Sequence, residues 1–279
     1  MMISDADLDR YLAEDVPYGD LTTATLGIGA KPGRMVFRAR AAMVVAASEE
    51  AARLIARAGA TVADIRPSGS AAAAGDVLLR AEGPAAALLA SWKVAQTLME
   101  AASGIASGAR ALVEAARAVN PQVVVACTRK AFPGTRAVAV KAIVAGGAVP
   151  HRLGLSETVL VFPEHRVFLG EDGLPEALSR LRRACPEKKL VVEVTSAAEA
   201  RAAAAAGADV VQLEKFSPEA VAELALGLAK AAPMVKLAAA GGVTVANAAA
   251  YAGAGAHILV TSSPYLSPPR DVAVSITAS

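Results

Sequence analysis

Aromatic side chains are scarce, at 4% of 279 residues with a single tryptophan, Trp92. Much of the apolar content is alanine, so the expected core is built from closely packed helices rather than large rings. Cysteine is limited to Cys127 and Cys185, whose spacing gives neither a metal-ligand pair nor a disulfide framework. Both read as small buried hydrophobes rather than nucleophiles. An excess of one charge is also missing: 28 basic against 26 acidic residues leave a net charge of +2. That balance excludes the broad positive field of a nucleic-acid or anionic-membrane binder, so any anion must be held locally. Long apolar runs are absent too. The chain is 54% hydrophobic with a mean hydropathy of +0.43, yet no stretch approaches the ~20 uninterrupted apolar residues of a membrane span. The opening MMISDADLDRYL is acidic where a secretion signal is basic and then apolar. A cytoplasmic protein with no membrane insertion is expected.

The length suits a barrel plus a smaller partner domain. Ser4 and acidic first-turn residues predict a capped helix over 4–14. A strand-like segment follows from Gly33, then an Ala-rich helix over 48–59 and a short strand over 76–81. Residues 85–119 read as a long helical region interrupted around Ser103-Gly104, where a hinge is expected. After that the rhythm changes. Apolar runs at 123–127, 158–162, 189–194, 209–213, 234–238 and 257–261 alternate with Ala-rich helices. Continuous apolar strands separated by helices mark a parallel sheet covered on both faces, and the repeat suggests closure into an α/β barrel, with an open doubly wound sheet as the alternative. The expected domains are 1–110, joined by the tail 268–279 as one further strand, and a barrel over 111–267.

In a parallel barrel the chemistry sits at the C-terminal ends of the strands. Those positions are polar here. Thr128-Arg129-Lys130 follows the first run, with Arg136 in the next loop, and His151-Arg152 precedes the second. Glu193 ends the third, Glu214-Lys215 the fourth, Gly241-Gly242 the fifth and Thr261-Ser262-Ser263 the sixth. Glycine backbone at a helix N-terminus presents N–H groups to phosphate, and hydroxyls add donors. A Gly-Gly pair alone serves a tight turn equally well, but two such loops on late strands favour a phosphorylated substrate. The planar forks of Arg129, Arg136 and Arg152 suit carboxylate or phosphate, although any one arginine is more often a solvated surface group. Glu193, within the apolar run VVEV, needs a cation, and a structural ion pair is its blander explanation. His165, His257 and Trp92 lack such company and read as structural.

The stretches TRKAFPGTR and KAIVAGGAVPHRLGL resemble the long signature of the quinolinate phosphoribosyltransferase (nicotinate-nucleotide pyrophosphorylase) family. EDVPYGDLTT, SGIAS, VEV, GADVVQLE and AAAGG match it in the same order, so the resemblance covers nearly the whole chain. It implies an open α/β barrel of the type II phosphoribosyltransferase kind, an N-terminal α/β sandwich that includes the C-terminal tail, and a head-to-tail homodimer. It also implies a reaction in which a ring nitrogen attacks C1 of phosphoribosyl pyrophosphate and pyrophosphate leaves with Mg²⁺. Carried over by motif, Arg129, His151 and Arg152 hold a diacid, while Lys130, Glu193 and Glu214 surround the ribose and the Mg²⁺, directly or through bound substrate. Gly241, Gly242, Thr261 and Ser262 hold the 5′-phosphate.

Departures from the family pattern matter as much. Lys93, ten positions before SGIA, stands for an arginine usually given to the neighbouring subunit's site. Phe162-Pro163-Glu164-His165 replaces Lys-Asp-Asn-His, so an apolar ring stands where a lysine should meet a substrate carboxylate. Glu214 replaces an aspartate, and Ala238 and Ala240 replace a Glu and a Ser. Together with WKVAQ at 92–96, these changes resemble the ModD branch, a pyrophosphorylase-like group associated with molybdenum transport. Three alternatives stand beside it. A tolerant quinolinate phosphoribosyltransferase would turn over quinolinate. A Schiff-base aldolase using Lys130, Lys215 or Lys236, which are expected at the barrel strand ends where such lysines occur, would be trapped by borohydride. A non-catalytic anion-binding accessory protein would release no pyrophosphate.

Overall fold

The computed structural model describes residues 3–170 and 173–279. Its elements begin with α1 (Asp5–Asp15), α2 (Leu21–Thr25), β1 (Pro32–Ala39), β2 (Met43–Val44), α3 (Ser48–Arg57), β3 (Thr61–Ile65), β4 (Ala71–Ala72), β5 (Val77–Pro84) and α4 (Ala85–Arg117). They continue with β6 (Val124–Cys127), α5 (Arg136–Ala145), β7 (Val149–Pro150), β8 (Val159–Val161), α6 (Pro163–Arg166), α7 (Gly173–Ala184), β9 (Leu190–Val194) and α8 (Ala197–Ala205). The last are β10 (Val210–Glu214), α9 (Pro218–Ala231), β11 (Lys236–Ala240), α10 (Val245–Gly253), β12 (Ile258–Thr261), a 3₁₀ turn (Ser263–Leu266) and β13 (Val272–Ala278).

The first compact unit comprises the chain up to Arg110, the segment Ala131–Gly147 and the chain from Pro264 onward. Its main sheet is antiparallel in the order β13-β1-β5-β3. The tail strand pairs with β1 from Gly33 opposite Ala278 to Ala39 opposite Val272. Alternation on β1 buries Met35, Phe37 and Ala39 on one face, where they meet Ile55, Leu79 and Leu88. Each large side chain removed from water there contributes about 1.5–3 kcal/mol.

Segment 131–147, expected within the barrel, groups with this unit instead. Val138 and Ala142 of α5 join Ile3, Leu8 and Leu54 in one core cluster, and Lys141 pairs with Glu49 at 2.8 Å and Glu50 at 2.5 Å. The expected break at Ser103-Gly104 is absent, because α4 runs unbroken over 33 residues. Glycine costs a helix about 1 kcal/mol relative to alanine, but tertiary contacts offset that here. The Ser103 and Ser107 hydroxyls accept the Ala46 and Val44 N–H groups at 3.0 and 2.9 Å. A Cβ at Gly104 would lie 2.4 Å from the Pro268 carbonyl oxygen, so the residue is a packing site rather than a hinge.

The second unit, Ala111–Lys130 with Ala148–Ser263, holds a seven-stranded parallel sheet in the order β7-β6-β12-β11-β10-β9-β8. It is an open α/β barrel. Edge strands β7 and β8 share no ladder, and six of the seven strands are the apolar runs read from the sequence. The seventh, β7, is only two residues long and pairs with β6. Leu160, Val191, Val210, Ala238, Ala240 and Val260 fill the interior, with Phe162 and Ile258 against them.

Candidate active site

The period of two along each strand decides which polar residues join that interior. Glu193 lies two positions beyond Val191, and Gln212 two beyond Val210, so both point inward. Parallel register sets Glu193 beside Gln212 and Glu214 beside Ala240. The Gln212 Nε2 donates to Glu193 Oε2 at 2.6 Å. Burial raises the Glu193 carboxyl above its ordinary value; the charges of Glu214 and Glu164 add to this, while the Gln212 amide and Lys130 oppose it. Glu193, Glu214 and Lys130 therefore form one electrostatic group. Lys130 is exposed, and its N–H donates to Thr128 Oγ1 at 3.2 Å.

A basic group comes from the ends of β6 and β7. Burial holds the His151 imidazole below its ordinary value, and Arg152 and Arg129 push it the same way. Burial and Arg129 likewise depress the Arg152 guanidinium, which is only 7% exposed. Neither arginine is ion-paired to a carboxylate among the described residues. The Arg152 guanidinium lies 5.5 Å from the centre of the Phe162 ring, a cation–π contact between the two edges of the open barrel. Phe162 also stacks on His165 with centroids 5.8 Å apart, and its N–H donates to His165 Nδ1 at 2.9 Å. His165 thus caps α6.

The loop after β11 is built for close approach. Gly241 and Gly242 have φ of +80° and +95°, and a Cβ on Gly241 would stand 2.6 Å from Glu214 Oε1. The loop leads into α10, whose N-cap Thr244 forms a capping box with Asn247. Asn247 Nδ2 donates to the Gly242 carbonyl at 3.0 Å, fixing the turn. Thr261, expected to offer a hydroxyl to phosphate, donates to the Val243 carbonyl at 2.7 Å and accepts the Ser263 N–H at 3.0 Å. It ties the loop after β11 to the loop after β12, beside the half-buried Ser262. A helix N-terminus behind two positive-φ glycines is a ready anion site.

The barrel unit thus gathers Arg129, Lys130, His151, Arg152, Phe162, Glu193, Glu214, Gly241, Gly242, Thr261 and Ser262. Lys93 and Arg136 belong to the other unit. Lys93 Nζ sits 4.0 Å from the Trp92 ring centre and donates to Gln96 at 3.0 Å, beside a groove of about 580 Å³ lined by Tyr11, Glu14, Leu98 and Val138. Arg136 is the exposed first residue of α5. Lys236, read as a lysine at the barrel mouth, begins β11 and so stands at the opposite end of the strand from Gly241. Cys127 is inert as expected, since burial pushes its thiol up to about 12. His257 is structural, accepting the Leu237 N–H at 3.1 Å. Sequence reading missed Gln212 and Asn247. A polar residue at the inward phase of the run VVQL, and the Thr-x-x-Asn spacing of a capping box, were the available signals.

No group of three or more His, Cys, Asp or Glu side chains converges on a metal position among the described residues. Two inward carboxylates instead suit an ion such as Mg²⁺ that arrives with phosphate oxygens. No helix among them is long and apolar enough to cross a membrane.

An open parallel barrel with a carboxylate pair, an arginine pair and a two-glycine loop at a helix N-terminus has the groups that an enzyme for a phosphorylated substrate needs. The chain belongs to the quinolinate phosphoribosyl transferase family, matching its N-terminal domain over residues 20–103 and its C-terminal domain over 105–275. It is 55% identical over 250 residues to a putative pyrophosphorylase ModD of Rhodobacter capsulatus, covering 89% of this chain and 95% of the relative. A human nicotinate-nucleotide pyrophosphorylase [carboxylating] is 36% identical over 256 residues, covering 91% and 84%. The crystal structure of NadC from Streptococcus pyogenes superposes with a TM-score of 0.91 at 25% identity, covering 100% of this chain and 99% of that one.

Proposed function

We propose that this protein transfers the phosphoribosyl group of phosphoribosyl pyrophosphate to a ring nitrogen of a small acceptor. The carrying observation is the 2.6 Å approach that a Gly241 Cβ would make to Glu214, which sets the anion loop directly against the carboxylate pair. A 5′-phosphate on the loop would place C1 of its ribose near Glu193 and Glu214. As the C1–O bond to pyrophosphate breaks, positive charge develops on the ribose and the two carboxylates oppose it. The acceptor nitrogen supplies the electron pair for the new C–N bond, and Lys130 faces the departing anion. Mg²⁺ bound through Glu193 and Glu214, directly or through substrate, would neutralise charge on the pyrophosphate.

The protein works in the cytoplasm as a homodimer in which Lys93 serves the neighbouring site, and it acts alongside molybdenum transport, as the resemblance to the ModD branch implies. A fully active monomer in light scattering contradicts the role of Lys93. Decarboxylating transfer to quinolinate is the second reading, favoured by the likeness to the human pyrophosphorylase. The test is pyrophosphate release from phosphoribosyl pyrophosphate and Mg²⁺ across a panel of ring acids and nucleobase analogues. Release with at least one acceptor is expected. Silence with every acceptor overturns transfer in favour of an anion-binding accessory protein.

A further inference from the structure

The mouth of the barrel is uneven in charge. Arg129 and Arg152 crowd His151 on one side, and because the imidazole is held below its ordinary value of 6.5 it is neutral near pH 7. The two guanidinium groups therefore carry the positive charge there. The end of β8, against which Arg152 rests, offers no free cation of its own among the described residues. Phe162 is followed by Pro163 and Glu164, and the Glu164 charge reaches Glu193. His165 is engaged locally, its Nδ1 accepting the Phe162 N–H at 2.9 Å. Arg166 is already occupied, paired to Glu199 at 3.2 Å and donating to the Glu193 carbonyl at 3.4 Å.

The Arg152–Phe162 contact also spans the open seam. Arg152 lies just past β7 and Phe162 just past β8, the two strands with no ladder between them. The ring therefore both closes that wall and fixes the guanidinium beside it.

We infer that the acceptor is a flat ring bearing a single carboxylate, which Arg129 and Arg152 hold, while Phe162 takes an uncharged edge of the ring. The transfer chemistry in this inference rests on the function proposed above; the charge rule rests on the placement of these side chains alone. A second carboxylate on the Phe162 side would shed water against an aromatic ring, with Glu164 and Glu193 nearby, and gain no cation beyond the Arg152 guanidinium that already holds the first. Its loss is roughly tenfold or more in affinity, the scale of one missing charge-assisted hydrogen bond.

The experiment is calorimetric titration of the full chain with pyridine-3-carboxylate, pyridine-2,3-dicarboxylate and pyridine-3-carboxamide, with Phe162→Lys and Phe162→Leu alongside. The monoacid should bind at least about tenfold more tightly than the diacid or the amide. Phe162→Lys should improve the diacid by about tenfold, and Phe162→Leu should keep the wild-type order. The wild-type ranking decides the matter even if a variant does not fold. Diacid or amide binding as tightly as the monoacid, or no binding of either acid, overturns the charge rule. So does a folded Phe162→Lys variant with no gain for the diacid. Pyrophosphate release is scored separately. A monoacid that binds without release upholds the charge rule and counts against transfer, whereas efficient release with the diacid upholds transfer and overturns the rule.

Discussion

Gly241→Ala and Gly242→Ala should separate backbone strain from catalysis. Both glycines hold positive φ, +80° and +95°, so either alanine carries a left-handed penalty of about 1–2 kcal/mol. Their surroundings differ. At Gly242 nothing lies within 4 Å of an added Cβ, whereas at Gly241 it would meet Glu214 Oε1 at 2.6 Å and Lys215 Cγ at 2.7 Å. The Glu214 carboxylate is the far end of a flexible side chain and can retreat, whereas Lys215 Cγ lies close to its backbone and yields less, which adds a stability cost at Gly241. To regain ordinary contact near 3.4 Å the carboxylate must move about 0.8 Å. Misplacement on that scale costs roughly tenfold to a hundredfold in rate. Urea denaturation should therefore show a larger loss for Gly241→Ala than for Gly242→Ala, and steady-state pyrophosphate release by the folded proteins a kcat lower by at least about tenfold for Gly241→Ala. Equal kcat values would refute the claim that Glu214 must stand where Gly241 lets it stand.

Lys130→Ala and Glu193→Ala should each lower turnover by about tenfold or more with an unchanged circular dichroism spectrum, since each removes a charge that the proposed mechanism sets at the reacting centre; near-normal rates remove that residue from its role. Gln212→Met keeps the side-chain volume but deletes the amide that holds Glu193, so kcat should fall with KM little changed, and Gln212→Asn should recover part of it; a pure stability loss would make Gln212 structural. His151 and His257 both have folded values below the ordinary 6.5, so the unfolded chain binds more protons and stability is lost as pH falls below that value. His151→Asn should flatten that loss in denaturation measured between pH 7 and 5, and an unchanged slope contradicts the assignment.

The barrel was legible because parallel strands buried on both faces appear as unbroken apolar runs, such as LVVEV and VVQLE. Strand β7 was not, since Val149-Pro150 carries no periodicity, and β3 escaped because its five residues are exposed or half-buried. The Ser103-Gly104 break was misread for a reason invisible locally: the partners that rescue the helix, Ala46 and Pro268, are far away in sequence. Charged residues at strand ends were conspicuous because charge is costly in an apolar run. Positioning residues were harder. Gln212 acts through Glu193, and Thr261 through Val243, relations fixed only by register and by two loops meeting. Lys236 shows the converse error, where a lysine beside an apolar run was assigned to the wrong end because the strand starts later than the run suggests.

Mass-spectrometric detection of the product tests the central claim most directly. Phosphoribosyl pyrophosphate, Mg²⁺ and a ring monoacid are incubated with wild-type protein and with Glu193→Gln. The account predicts an acceptor–ribose monophosphate adduct, formed in step with pyrophosphate by the wild type and at least about tenfold more slowly by the variant. Pyrophosphate released with no adduct from any acceptor, or an adduct formed equally fast by Glu193→Gln, would contradict it.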